Sequence, residues 1–350
     1  MSAWKSKLLE VFERWGSSSW STLLTKGRRI WGFGLGAGVL GAVVLAFRYA
    51  LRPAPKTQLP DAISPAIFAT RIFYSRRGQL VYHESGRGEP LLFLHGIYIG
   101  ASSYEWSKVY PHFASAYQVM ALDLIGFGES ERPDLNLSAA DHVQALSDFL
   151  RAKSGGEPAT IVASGQSAGF AVLLASQHPE LVRRLILSMP TGALDSGQTR
   201  RRNLLLAKVP MANRVLYYRY LSTRVQVRSW LRKSGFADPA KVGDETLDVL
   251  SNCAQQFGAE RAIFQWFSHR FDVELEKRIA EVSQPVTLIW GDKAKYPPLE
   301  SAHGLQLVVA KCSLIVLENT GTLAALETPE RMTELLAKEL DPTIRVYRAG

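Results

Sequence analysis

An α/β fold, with a mostly parallel sheet covered by helices on both faces, is what this 350-residue sequence predicts. Two observations carry the prediction. Short apolar runs alternate with helical segments from about Ile67 onward. Those runs are apolar throughout, as strands buried on both faces are, whereas half-exposed strands alternate. Hydrophobic residues make up 47% and charged residues 21% of the chain, a globular balance that excludes a mainly disordered protein.

In chain order, residues 1–29 form a basic amphipathic segment. Trp4, Leu8, Val11, Phe12 and Trp15 recur at helical spacing with Lys5, Lys7 and Arg14 between them, which suits a membrane interface. Ile30–Phe47 then runs without a charge, and a helix of that length reaches about 27 Å, enough for a hydrocarbon core. A single transmembrane helix is therefore expected over 30–50. The preceding basic residues favour a cytoplasmic or stromal N-terminus. Gly36-x-Gly38-x-x-Gly41 formally matches a dinucleotide fingerprint, but no strand precedes it, so that reading is rejected. Gly32 and Gly36, and Gly34 and Gly38, are four apart, which permits close packing on a partner membrane helix or on a second copy. An ordinary glycine-rich span is the alternative. Residues 51–65 read as a linker.

The core is expected over 66–191 and 281–342. Leu91–His95, Val119–Asp123, Thr160–Ala163, Leu185–Ser188, Val286–Trp290 and Leu314–Leu317 read as its strands, and Ala139–Ala152, Ala168–Gln177 and Pro329–Leu340 as its helices. Residues 192–280 interrupt this pattern and read as a helical cap. The net charge of +9 is concentrated there: Arg200, Arg201, Arg202, Lys208, Arg214, Arg219, Arg224, Arg228, Arg232 and Lys233 occur without an intervening acid. The run reads either as a solvated helix face or as a contact for an anionic partner, lipid head groups or an acidic protein surface. No nucleic-acid-binding motif accompanies it, so nucleic acid is not expected. Cys253 and Cys312 make neither a disulfide framework nor a zinc site. No metal and no cofactor is expected.

Gly165-Gln166-Ser167-Ala168-Gly169 fits G-x-S-x-G between an expected strand and an expected helix. In that setting the glycines permit a tight turn that presents the serine hydroxyl beside a helix N-terminus. Together with His95-Gly96, the Asp123-Leu-Ile-Gly-Phe-Gly-Glu-Ser130 turn, His178-Pro179-Glu180 and Trp290-Gly291-Asp292, in that order, the chain from about Ile67 to Leu340 resembles the α/β-hydrolase fold family, of the kind with a cap domain. The resemblance implies Ser167 as nucleophile, the backbone amides of Ile97 and Ala168 as an oxyanion hole, and Gln166 in the pocket.

The resemblance also implies an acid in W-G-x-x-D and a base in G-H-x-x-x-x-E-x-P. Here those positions hold Ala294 and Thr322. Threonine cannot take a proton from a serine hydroxyl near neutral pH, and losing such a base costs roughly 10⁴–10⁶ in turnover. Of the seven histidines, His269 and His303 are the remaining candidates for a base, with Asp292 or Asp195 as an orienting acid. The expectation is a membrane-anchored, non-catalytic subunit, scaffold or binder of a small apolar ligand, with Ser167 vestigial. The alternative is a serine hydrolase with an atypical base.

Overall fold

The computed structural model describes Pro65, residues 67–193 and residues 210–340. The expected membrane helix with Gly32, Gly34, Gly36 and Gly38, together with Asp195, Arg200, Arg201, Arg202 and Lys208, lies outside the described residues. Among the described residues, no helix is long and apolar enough to cross a membrane. The chain divides at Arg52 and Pro53 into two units, and all described residues belong to the second.

Eight strands form one sheet: β1 (Ala69–Ser75), β2 (Gly78–Ser85), β3 (Glu89–Leu94), β4 (Tyr117–Leu122), β5 (Ala159–Ser164), β6 (Val182–Ser188), β7 (Val286–Gly291) and β8 (Cys312–Leu317), in spatial order β1-β2-β4-β3-β5-β6-β7-β8. The β1/β2 and β2/β4 pairs are antiparallel, and every other pair is parallel. Every residue of β5 and β7 is buried, because helices cover both faces at the centre of the sheet. The sequence pattern anticipates six of these strands but not the β1/β2 hairpin. It also overstates β8, which is an edge strand with Val316 39% exposed.

Helix α1 (Ala139–Lys153) starts at a capping box, where the Ser138 N–H donates to Asp141 Oδ2 at 2.9 Å and Ser138 Oγ accepts from the Asp141 N–H. Its Phe149 meets Phe73 and Tyr82 edge-on. Helix α2 (Gly165–Gln177) follows β5 directly. His142 of α1 stacks on Phe170 of α2 at 4.9 Å and meets Phe271 edge-on, with both ring nitrogens buried and unpartnered. Burial pushes this imidazole down to about 3.

The helical insertion between β6 and β7 comprises α3 (Pro210–Leu216), α4 (Arg224–Trp230), α5 (Asp244–Ala254), α6 (Ala259–Phe267) and α7 (Leu275–Ala280). The chain then continues through β7, α8 (Leu299–Val308), β8, α9 (Ala324–Glu327) and α10 (Pro329–Leu340). Within the described part of the basic run, three arginines meet acids. Arg224 pairs with Asp244 at 2.8 Å and with Asp248, Arg228 pairs with Asp244 at 3.1 Å, and Arg214 pairs with Glu260 at 3.5 Å. The acids come from α5 and α6, so these three arginines are matched across the insertion although the run itself holds no acid.

Candidate functional site

The turn between β5 and α2 decides the chemistry. Strand β5 is paired to its last residue, Ser164 against Ser188, and α2 begins at the next residue. Gly165, with φ of 53°, is therefore the residue that turns the chain. A hydrolase nucleophile occupies this strained strand-to-helix position, and the amide of the following residue contributes to the oxyanion hole. The expected assignment is thus shifted by two residues. Ser167 lies within the first turn of α2, is 0% exposed, and donates its hydroxyl to the Ser164 carbonyl at 2.8 Å. Ala168 is buried in the core. The position of a nucleophile falls to Gly165, which has no side chain, and that of the oxyanion amide to Gln166.

A cavity of about 190 Å³ opens above this turn. Gly96, Ile97, Gly165 and Gln166 form its floor; Trp230 and Trp266 reach it from α4 and α6, and Thr322 borders it. Tyr98 stacks on Trp230 at 5.4 Å, so one wall is aromatic. Neither Ser167 nor Ala168 lines it, and no histidine, carboxylate, lysine, arginine or cysteine is among its described lining residues. Ile97 and Gln166 line the cavity together with Gly165. Thr322 donates its hydroxyl to the Tyr296 carbonyl at 3.2 Å. Ala294 is half-buried and lies outside the lining.

The substitute acids and bases are occupied elsewhere. His95 is fully buried; its Nε2 accepts the Leu124 N–H at 3.1 Å, so its Nδ1–H donates to the Gly96 carbonyl at 2.7 Å. Burial lowers its pKa, and the neutral ring serves as a bracket between two loops. His269 pairs through Nδ1 with Asp272 at 2.9 Å in the insertion, and His303 is exposed on α8. Asp292 accepts the Thr320 N–H at 3.2 Å, tying the β7 and β8 loops together.

Sequence reasoning missed three features. Glu105, 2% exposed, accepts the Gly96 N–H at 2.8 Å and the Ser164 hydroxyl beneath the cavity floor. Burial raises its pKa. The Gln166 side chain is taken up by structural bonds: its Nε2 donates to the carbonyls of Gly192 at 3.1 Å, where the insertion begins, and of Phe271 at 2.6 Å, just before α7, and the nearby Val273 N–H also donates to the Gly192 carbonyl. Finally, His83, Asp123 and Glu129 each bring one ligating atom within 4.8 Å of the others, although the sequence suggested no metal site. Only the order of strands β2 and β4 brings His83 beside Asp123, and no spacing rule would have found them.

A mostly parallel sheet with a positive-φ elbow after its fifth strand, a helical insertion above it and a cavity at the strands' carboxyl ends defines a protein of the hydrolase class of α/β folds. Comparison with known proteins agrees. The chain belongs to the alpha/beta hydrolase family, whose model matches residues 91–335. It is similar to 2-hydroxy-6-oxo-6-(2'-aminophenyl)hexa-2,4-dienoic acid hydrolase of Metapseudomonas resinovorans, with 26% identity over 280 residues, covering 77% of this chain and 90% of that protein. Among solved structures it resembles 2-hydroxy-6-oxo-6-phenylhexa-2,4-dienoate hydrolase from Rhodococcus sp. strain RHA1, with a TM-score of 0.65 and 21% identity, covering 78% of this chain and 98% of that one. It also resembles a membrane phospholipase A described as a bacterial virulence factor, with a TM-score of 0.65 and 20% identity, covering 97% of each chain.

Proposed function

We propose that this protein is a membrane-anchored member of the family that binds a small apolar molecule and does not hydrolyse it. The observation that carries this is Gly165 at the apex of the elbow. With Thr322 and Ala294 at the positions of base and acid, no group of a nucleophile–base–acid relay stands where the fold would use it. The cavity supports the binding half of the reading. An apolar cavity of about 150 Å³ holds benzene, so this one suits a molecule of single-ring size. The Ile97 and Gln166 backbones suit a carbonyl or carboxylate at its polar end. Anchoring rests on the uncharged run Ile30–Phe47. As an anchored binder the chain serves as a ligand-sensing subunit or scaffold beside a membrane partner or a second copy.

Fluorophosphonate labelling of the full chain in mild detergent tests it. No covalent label and no ester turnover above background is expected. Stoichiometric labelling overturns it.

A second reading is favoured by one contact, the hydrogen bond from the Ser164 hydroxyl to the Glu105 carboxylate at the cavity floor. In it Ser164 is the nucleophile and Glu105 receives its proton; the relatives named as hydrolases favour it as well. Labelling that disappears in Ser164→Ala selects this reading.

A further inference from the structure

We propose that His83, Asp123 and Glu129 form a binding site for a divalent transition-metal ion, zinc being the best fit. His83 lies on β2 and is 1% exposed. Its Nδ1 is in hydrogen-bond contact with the Thr70 hydroxyl at 3.1 Å, which leaves Nε2 as the free ligand atom. That Nε2 is buried without a hydrogen-bond partner and faces Glu129 Oε2 at 3.5 Å. Asp123 stands at the end of β4, next to β2 in the sheet. One oxygen from each carboxylate and one imidazole nitrogen all lie within 4.8 Å of one another.

Two carboxylates this close repel each other, and among the described residues neither forms an ion pair with a lysine or arginine. Asp123 is held in place: Oδ1 accepts the Ser103 N–H at 2.6 Å and Oδ2 the Glu129 N–H at 2.7 Å, each oxygen keeping a second lone pair. Such outer bonds orient a metal ligand. A cation between the three groups would cancel the repulsion and give the orphaned imidazole nitrogen a partner.

The donor set selects the ion. One imidazole and two carboxylates suit zinc, whereas magnesium and calcium prefer oxygen alone. Tetrahedral zinc with bonds of about 2.0–2.2 Å places its ligands ~3.4 Å apart. The His83–Glu129 separation of 3.5 Å meets this, the partly exposed Glu129 side chain can adjust toward Asp123, and the His83–Asp123 pair needs a shift of no more than about 1.4 Å. Three protein ligands leave a fourth position for water. The ion would fasten the 123–130 turn to β2, and the same turn supplies the Leu124 N–H that holds His95 under the cavity floor.

The test uses the full chain in mild detergent, stripped with a chelator and then titrated with zinc, magnesium or calcium chloride alone. About one zinc per chain should remain after dialysis, by elemental analysis, and saturation should raise Tm by roughly 3–6 °C, with no rise for magnesium or calcium. Glu129→Gln should weaken zinc binding at least about tenfold, and His83→Gln likewise. Cobalt loaded into the unaltered chain should show the intense visible bands of a four-coordinate ion, a readout that needs no variant to fold. Substoichiometric zinc without a Tm shift overturns the proposal. So does binding unchanged in Glu129→Gln, or cobalt with only weak six-coordinate absorption.

Discussion

The two sides of the cavity floor contrast sharply. On one side, backbone positioning is intact: Glu105 holds Gly96 and Ser164, His95 brackets two loops, and Gln166 ties two segments of the insertion to the elbow. On the other, Gly165 stands at the elbow, and Thr322 and Ala294 stand where the resemblance implies a base and an acid. The first group acts by holding geometry through hydrogen bonds, and the second would act by changing protonation state. The difference teaches that a hydrogen-bonded frame around an elbow can be complete whatever side chains stand at the positions where the family places its proton carriers.

The comparison breaks or sharpens most strongly under restoration. A Cβ built on Gly165 meets only the Gly96 Cα, at 3.8 Å, so a serine has room there despite the positive φ. The triple variant Gly165→Ser, Ala294→Asp, Thr322→His should hydrolyse p-nitrophenyl esters roughly 10³-fold faster than the unaltered chain, and Gly165→Ser alone far less. Equal rates in the single and triple variants would mean that the three positions do not form one relay.

Next in size is the intact side. Glu105→Ala leaves the Gly96 N–H and the Ser164 hydroxyl buried without their acceptor, and should cost about 2–4 kcal/mol in a urea unfolding titration. A loss under 1 kcal/mol would show that the floor does not depend on this carboxylate.

His142 gives a pH-dependent contrast within the scaffold. Its pKa is about 3 in the folded chain against 6.5 for an ordinary histidine. The unfolded chain binds this proton first, so stability is lost as pH falls below about 6.5, with a limiting slope of ~1.4 kcal/mol per pH unit from this group. His142→Leu should flatten the decline in urea midpoint between pH 7 and pH 5. The smallest effect belongs to Ser167→Ala. Its hydroxyl meets only the Ser164 carbonyl, so stability should change by no more than about 1 kcal/mol, and ligand quenching of tryptophan fluorescence should not change.

The misplacement of the elbow has a specific cause. Ser167 sits between two glycines, and G-x-S-x-G is satisfied by residues 165–169 whatever the fold does with them. Sequence periodicity locates a strand end only within a residue or two. Here the end is set by the register of β5 against β3 and β6, Ala163 opposite Leu94 and Ser164 opposite Ser188. The β1/β2 hairpin was illegible for a related reason. Its strands carry an arginine, a glutamine, a histidine and a glutamate among apolar residues, as suits an antiparallel edge but not a run buried on both faces. By contrast the place of Thr322 beside the cavity could be anticipated, because Gly321, Glu327 and Pro329 flank it at the spacing of the resembled motif.

The sequence by itself determined the alternation of strands and helices, the insertion after the sixth strand, and that Ala294 and Thr322 stand at the motif positions where the resemblance implies an acid and a base. All of these are written in neighbouring residues, within the reach of a single hydrophobic period or motif. Tertiary structure alone decided that Gly165 turns the elbow, that acids of α5 and α6 neutralise part of the basic run, and that His83, Asp123 and Glu129 converge. Cross-strand register and the packing of distant segments fix these, and no local window of the chain contains them.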